Sequence, residues 1–445
     1  MASRYSKIRF IGYAIPTTPA NLVSIGDPNG PGAVAGSYLA DEDDGADIAA
    51  RIAVLKQAVE TAKSKLPADE DPNSVINLFV APEFYFHGAQ GPYLYRNGEA
   101  DPADTILEQL VAAFPKDEYP NWSLVCGSVI SAQSANIDTV YRANATGVRN
   151  RVVECLAKQW QASFGPLKGV LFDQLINFIK NCHANPSMEV RNRALLVSNI
   201  ALDTPFTPLQ SDRMTTEKYF VSNEDFLLYE TEGRQEVVTE QMTAYPFIDL
   251  SAGDIKRDAF DQYAIFRQHY GDDNFPQYVD FAVEICLDHS DVRLRRNIDN
   301  EPFPSSGDAV HVQIIPSCGM QIQQQSVAAD CNGFVFNCDG QYALDATQGG
   351  AETGVFNGVA SVYANYVNGK NSGYAAHSQL ARIAQPARGG DPNGEGASDA
   401  SFHPLAAEDI CIAAVKPIAH LDDCFAGGAG EVHIYGQTNP YTLYP

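Results

Sequence analysis

Apolar and polar positions along the chain switch between two periods. Lys7 to Ile15 (KIRFIGYAI) is rich in β-branched and aromatic residues and predicts an opening strand. A loop rich in Gly, Pro, Asn and Asp follows, to about Gly45. From Asp47 to Leu66, the residues Ile48, Ile52, Leu55, Val59 and Ala62 recur at spacings of three and four, which puts them on one face of a helix. Val75 to Val80 is a continuous apolar strand that ends at Pro82-Glu83. The pattern then repeats, with a helix at Asp104 to Phe114 and a strand at Trp122 to Ile130. Further strands are expected at Arg193 to Ile200, Tyr278 to Leu287, Val310 to Pro316 and Gly333 to Asn337. Strands alternating with helices predict a layered α/β fold. No repeat at a solenoid period is present.

Residues 1–445 are expected to form a single domain, with two stretches added to its core. About 150–190 is a helical insertion (VVECLAKQWQASF, then LFDQLINFIKNC within Val152 to Cys182), apolar enough to cover a site, meet a neighbouring subunit or pack on its own core. About 230–277 is a polar insertion with few strand signals. Residues 341–445 read as a C-terminal extension with candidate strands at Ile410 to Val415 and Val432 to Tyr435. Within it, 387–401 (PARGGDPNGEGASDA) has the composition of a structureless loop.

Composition narrows the function. Acidic residues outnumber basic ones, 55 to 30, for a formal net charge of −25. A surface of that sign disfavours nucleic acid and acidic membranes as partners. The N-terminal MASRYSKIRFIGYAIP lacks the uninterrupted apolar stretch of a secretion signal. No segment approaches the roughly 20 apolar residues that span a bilayer. The nine cysteines are scattered with no CxxC pair, which points to reduced thiols in a cytoplasmic protein rather than to disulfides or a zinc ribbon.

Three reactive side chains fall at predicted strand ends, where open α/β sheets build their sites. Glu83 follows Pro82, which ends the ladder by lacking an N–H. Its neighbours Phe84, Tyr85 and Phe86 make it a candidate general base, the alternative being a loop glutamate pointing at water. Cys286, in VEICLD, shares a face with Glu284 and Asp288 by alternation. It is a candidate nucleophile if a base takes its proton, and otherwise a buried core thiol. Cys126, Cys155 and Cys182 sit within strand or helix patterns and read as core packing. Lys218, in TEKYF, could hold a fixed positive charge against a developing oxyanion, or be a solvated surface lysine.

In the order Glu, Lys, Cys, each at a strand tip, the chain resembles the nitrilase (carbon–nitrogen hydrolase) superfamily. The helix from Asp47 to Leu66 followed by NLFVAPEF is similar to that family's first helix, strand and catalytic glutamate. VEICLD resembles its nucleophile motif, VHVQIIPSCG the strand that follows, and GFVFNCDG the later strand that ends in Asn before a Gly turn. The resemblance covers pieces from residue 7 to about 340, with spacings stretched by the two insertions. It implies a four-layer α-β-β-α sandwich, paired across a two-fold axis as a homodimer or higher homo-oligomer, and chemistry without metal or organic cofactor. Glu83 would be the base, Cys286 the nucleophile, and Lys218 with a backbone N–H near Leu287 the oxyanion donors. A second glutamate often supports such sites. Glu224 is the better placed candidate here and Glu230 the reserve. Lys256 lies closer to Cys286 than Lys218 does. Lys218 is preferred because it follows the RALLVSNI strand and precedes an acidic residue.

The implied substrate is a small-molecule amide or nitrile. Leu287-Asp288 keeps the acidic residue of amidase-like members and loses the aromatic before it, which favours amide hydrolysis. Acyl transfer to an amine by the same three residues, and a scaffold that binds without catalysis, are the alternatives. His87 and His289 are candidate substrate-binding residues, or satisfied loop histidines. A metal hydrolase is disfavoured, since there is no HExxH motif and no clustered ligand spacing.

Overall fold

The computed structural model describes residues 5–17, 21–25, 33–37, 39–88, 91–96, 99–135, 187–204, 210–218, 229–231, 234–236, 240–241, 264–270, 277–296, 309–340, 353–356, 359–363, 376–403, 410–419, 421–425 and 428–443. Among them, hydrogen bonding joins eighteen strands into one curled sheet. The strands that matter here are β1 (Lys7–Ala14), β2 (Val75–Ala81), β3 (Trp122–Ala135), β4 (Ser187–Asp203) and β5 (Ser211–Glu217). They are followed by β6 (Ile265–Tyr270), β7 (Gln277–Val283), β8 (Val310–Ser317), β9 (Ala329–Asp339) and β10 (Val359–Tyr363). The last are β11 (His377–Gln385), β12 (Ile410–Ala414) and β13 (Glu431–Tyr435).

The sheet has two halves of similar construction. In the first, β1, β2 and β3 are parallel neighbours, with β13 and β12 added antiparallel on one side and β4 and β5 on the other. In the second, β7, β8 and β9 are parallel neighbours, flanked by antiparallel β6 and by β11 and β10. A short antiparallel pairing of β4 with β6 links the halves.

One apolar cluster is drawn from both halves, including Phe10, Leu78, Val80 and Leu196 from the first and Phe281, Val312, Ile314, Phe336 and Leu380 from the second. The Phe10 ring centroid lies 5.1 Å from that of Phe334 and 5.3 Å from that of Phe336. Each such side chain contributes about 1.5–3 kcal/mol by burial, so this interface is the core that holds the halves together. Gly12 permits the close approach, since a Cβ there would meet the Ser378 Cβ at 3.0 Å.

Helices cover the outer face of the first half. α1 (Asp44–Lys63) starts where the Asp43 carboxylate accepts from the Ala46 N–H, and α2 (Pro102–Ala113) where Asp101 accepts from Ala103, with Pro102 in the first turn. The apolar stripe expected from the sequence is the buried face of α1: Ile48, Ile52, Leu55, Val59 and Ala62 pack with Phe79, Leu124 and Ile434. On the second half, a smaller cluster of Ile265, Ala282, Leu294, Val310 and Ala328 is served by two one-turn helices, α3 (Leu287–Ser290) and α4 (Arg293–Arg296). No helix among the described residues is long and apolar enough to cross a membrane.

The structure differs from the sequence pattern in three places. The stretch expected to be a polar insertion contains β6, in which Ile265, Phe266 and Gln268 are buried while Arg267 pairs with Asp280 on β7 at 2.6 and 2.9 Å. Its arginine is paired across to the neighbouring strand and one of its buried residues is a glutamine, so the segment reads as polar. The expected C-terminal extension supplies β11 and β13, which lie beside β9 and β1 and belong to the core. The supposedly structureless loop at 387–401 is tied around the buried guanidinium of Arg295. That group donates to the carbonyls of Gly389, Gln325, Arg388 and Ser398 and to Asp399 Oδ1 at 2.6–3.1 Å. That cation acts together with local bonds, since Arg388 and Ser398 exchange backbone hydrogen bonds at 2.9 and 3.2 Å and the Gly394 N–H donates to the Asp391 carbonyl at 2.9 Å. The helical insertion at about 150–190 lies outside the described residues apart from the first strand residues of β4.

A polar seam runs through the interface between the halves. Ser378 Oγ lies 2.8 Å from both His433 Nδ1 and the Tyr435 hydroxyl. Burial, with His433 nearby, pushes His377 down to about 3, although Asp339 Oδ1 stands 3.5 Å from its Nδ1. Desolvation outweighs that carboxylate, and it lowers His433 as well. Both folded values lie below the ordinary histidine value, so the unfolded chain takes up protons first. Their stabilisation is complete above about pH 6.5 and is lost as pH falls, for His377 towards 3. Urea unfolding between pH 7 and pH 4.5 is expected to lose up to about 1.4 kcal/mol per pH unit for each histidine. His377→Gln with His433→Gln should flatten that slope. An unchanged slope would show that these imidazoles do not resist protonation.

Candidate active site

Glu83 is placed by a tight turn at the end of β2. A bulge in β3, between Val125 and Ser128, makes room for it. There Gly127 has φ +77°, and a Cβ on it would come within 2.3 Å of the Pro82 carbonyl oxygen. Phe84 is held at φ 59°, and its N–H donates to Ser128 Oγ at 2.9 Å. The Glu83 N–H reaches across to the Ser317 carbonyl of β8 at 3.3 Å. A positive φ on a bulky residue is a strained arrangement of the kind concentrated at functional sites.

The carboxylate of Glu83 is fully buried and asymmetrically bonded. Oε1 accepts from Lys218 Nζ at 2.9 Å and from Asn192 Nδ2 at 2.9 Å. Oε2 is buried without a hydrogen bond. Lys218 follows directly on β5, is 1% exposed, and donates its own N–H to the Asn192 carbonyl at 2.8 Å. Its ammonium stands 5.8 Å from the Phe84 ring centroid. Burying such a pair gains little stability over apolar residues of the same size. A buried pair of this kind marks a candidate functional site.

Cys286 faces the same place. The ladder of β7 stops at Val283, but the Glu284 and Cys286 N–H groups still donate to Ile314 and Pro316 of β8 at 3.0 and 3.1 Å. Cys286 then turns at φ 47° into α3. That turn breaks the alternation expected from the sequence. Cys286 joins Val283 and Ile285 in the core between the halves, whereas Glu284 faces the other way. Burial pushes the Cys286 thiol well above the ordinary thiol value. The Glu83 carboxylate raises it further and Lys218 opposes, so both charges act on the sulfur. The resting thiol is therefore protonated and needs a base to react.

Three buried carboxylates brace the turn at Cys286. Glu284 accepts from the Leu294 N–H at 2.7 Å, from Gln313 Nε2 at 2.6 Å and from His289 Nδ1 at 2.8 Å. Asp288 pairs with Arg293 at 2.8 Å, and Arg293 donates to the Glu217 carbonyl at 2.9 Å, one residue before Lys218. Asp339 Oδ2 gathers Ser317 Oγ and the N–H groups of Gly319 and Met320 at 2.6–2.7 Å. This fixes the turn whose Cys318 carbonyl lies 3.8 Å from Cys286 Sγ.

The fold thus brings Glu83, Lys218 and Cys286 together. Leu287 is half-buried against the core between the halves. His289 uses both ring nitrogens internally, since Nε2 accepts from the Gln323 N–H at 3.0 Å, and so it acts as a brace. His87 is buried 3.4 Å from Arg51 Nη2, and burial with that cation lowers it well below the ordinary histidine value. Glu224 and the rival Lys256 lie outside the described residues, as does the side chain of Glu230. Among the described residues no group of three or more His, Cys, Asp or Glu is placed to hold a metal. Asn192 and Asp339 were missed from the sequence. Asn192 lies inside the polar beginning of β4, ahead of the apolar run that marks the strand, and no local pattern sets it apart.

No family model matches the chain, and no curated protein matches it. Among solved structures, a crystal structure of an N-terminal amidase is similar with 9% identity and a TM-score of 0.29, over 71% of this chain and 48% of that one. The chain spans about half the length of that protein.

Gly127→Ala tests the placement of Glu83. Strain at positive φ and the clash with Pro82 are expected to destabilise the fold on the order of 2–4 kcal/mol, read as a lower urea midpoint. A substitution without effect would mean that the bulge does not set the turn.

Proposed function

We propose that the protein is a cysteine-nucleophile hydrolase that cleaves a non-peptide carbon–nitrogen bond, an amide, through a thioester. The observation that carries this reading is the buried Glu83–Lys218 pair at 2.9 Å beside Cys286, with one carboxylate oxygen still open. The three residue types stand in the order that the nitrilase resemblance implies. Two stacked half-sheets with helices outside the first support the four-layer sandwich as the architecture around them.

The residues divide the chemistry as follows. Glu83 Oε2 takes the proton of the Cys286 thiol as Sγ bonds to the amide carbon. The carbonyl oxygen becomes an oxyanion, held by Lys218 and the Leu287 N–H, each donor worth about 3–4 kcal/mol to the transition state. The intermediate collapses, the C–N bond breaks, and the proton on Glu83 passes to the departing nitrogen. Water then gives a proton to Glu83 and attacks the thioester. Sγ leaves and regains the proton, and the free acid departs. Lys218 also holds Oε1, so that Oε2 alone is left for proton transfer.

The test is ammonia release from a panel of small amides and nitriles, with peptide mass spectrometry for an acyl adduct. Turnover with an adduct on Cys286 is expected. Cys286→Ala should abolish both, and Lys218→Ala should lower kcat about 100–1,000-fold. Release that survives Cys286→Ala would refute a thioester at this residue.

A further inference from the structure

Two acceptors of the site have no donor on them. Glu83 Oε2 and Asn192 Oδ1 are both buried without a hydrogen bond, whereas buried polar atoms are nearly always paired. Asn192 is 1% exposed, so solvent does not serve it. Nor can its amide rotate to escape. Nδ2 is held by Glu83 Oε1 at 2.9 Å, and exchanging the two ends would set Oδ1 against a carboxylate oxygen. Lys218 Nζ is directed at Oε1, which is already doubly bonded. The Cys286 thiol brings one proton and can satisfy one acceptor only.

We infer that Asn192 is a catalytic residue whose Oδ1 accepts a hydrogen bond from the substrate nitrogen, so that the site selects acyl donors bearing N–H. The substrate class is then a primary or secondary amide rather than an ester or a nitrile, neither of which offers an N–H when it binds. This rests on the hydrolase reading above. As the C–N bond breaks, the nitrogen gains the proton that Glu83 Oε2 took from Cys286, and its existing N–H stays on Asn192 Oδ1. The nitrogen leaves as ammonia from a primary amide or as an amine from a secondary one, and the acyl group remains on sulfur. An ester would leave as an alcohol that gains one proton from Glu83 and gives none to Asn192.

The test compares kcat/KM for a primary amide and the methyl ester of the same acyl group, chosen as the best accepted in the amide panel. Wild type and Asn192→Ala are measured. Losing the Glu83 anchor harms both substrates alike, so the informative quantity is the amide-to-ester ratio. The amide is expected to lose ~10–100-fold more than the ester. Equal losses, or none, overturn the assignment while leaving the hydrolase intact. If wild type turns over neither substrate, the assignment and the hydrolase reading fall together. Should the alanine variant not fold, Asn192→Ser is read by the same ratio.

Discussion

A lysine and an asparagine share one buried carboxylate oxygen. Glu83 Oε1 takes both the Lys218 ammonium and the Asn192 amide, and the surroundings of the site follow from keeping that arrangement dry and fixed. An unsupported ion pair in a protein interior costs more in desolvation than it regains. It therefore needs rigid neighbours. The bulged β3 under the Glu83 turn, the backbone bond from Lys218 to Asn192, and the stacked half-sheets supply them. The same enclosure raises the Cys286 thiol, so the sulfur cannot act as a standing thiolate. A carboxylate beside such a thiol is what would let it react, by taking the proton as an electrophile arrives, and that would set it apart from the eight other cysteines.

Each half-sheet delivers its share of the site in the same way. Three parallel strands end together, and a reactive residue follows one of them: Glu83 after β2, Cys286 after β7. Because the halves face each other, the two strand ends meet over a common core. The Ser317–Met320 turn joins them, since the Ser317 carbonyl receives the Glu83 N–H while the Cys318 carbonyl approaches the sulfur. Asp339 organises that turn, and Arg293 links the residue after Leu287 to the strand that carries Lys218. Disturbing any of these would move one charge relative to another without touching the reacting atoms.

Much of this was legible in the chain. Local patterns marked α1, β2, β7 and β8, and punctuation such as Pro82 showed where strands end. Glu83, Lys218 and Cys286 could be named because each combines a reactive type with a strand end. What local patterns could not show depends on distant partners. Asn192 looks like any polar residue until Glu83 lies beside it. Cys286 departs from strand alternation because its φ is positive. His289 looked available for substrate, yet Glu284 and the Gln323 N–H take both its nitrogens. The loop at 387–401 is tied down in part by Arg295, which lies far away in the sequence.

The most direct measurement is site-resolved alkylation of the native protein by iodoacetamide, followed by peptide mass spectrometry. Cys126 and Cys338 are at least as buried as Cys286, burial alone raises Cys126 whereas Asp339 also acts on Cys338, and Cys331 is exposed. If Glu83 is the base for Cys286, that thiol reacts well ahead of Cys126 and Cys338. Glu83→Gln should then slow it at least ~10-fold while Cys331 keeps its rate. Labelling of Cys286 no faster than the two core thiols, and indifferent to Glu83, would contradict a catalytic centre at this site.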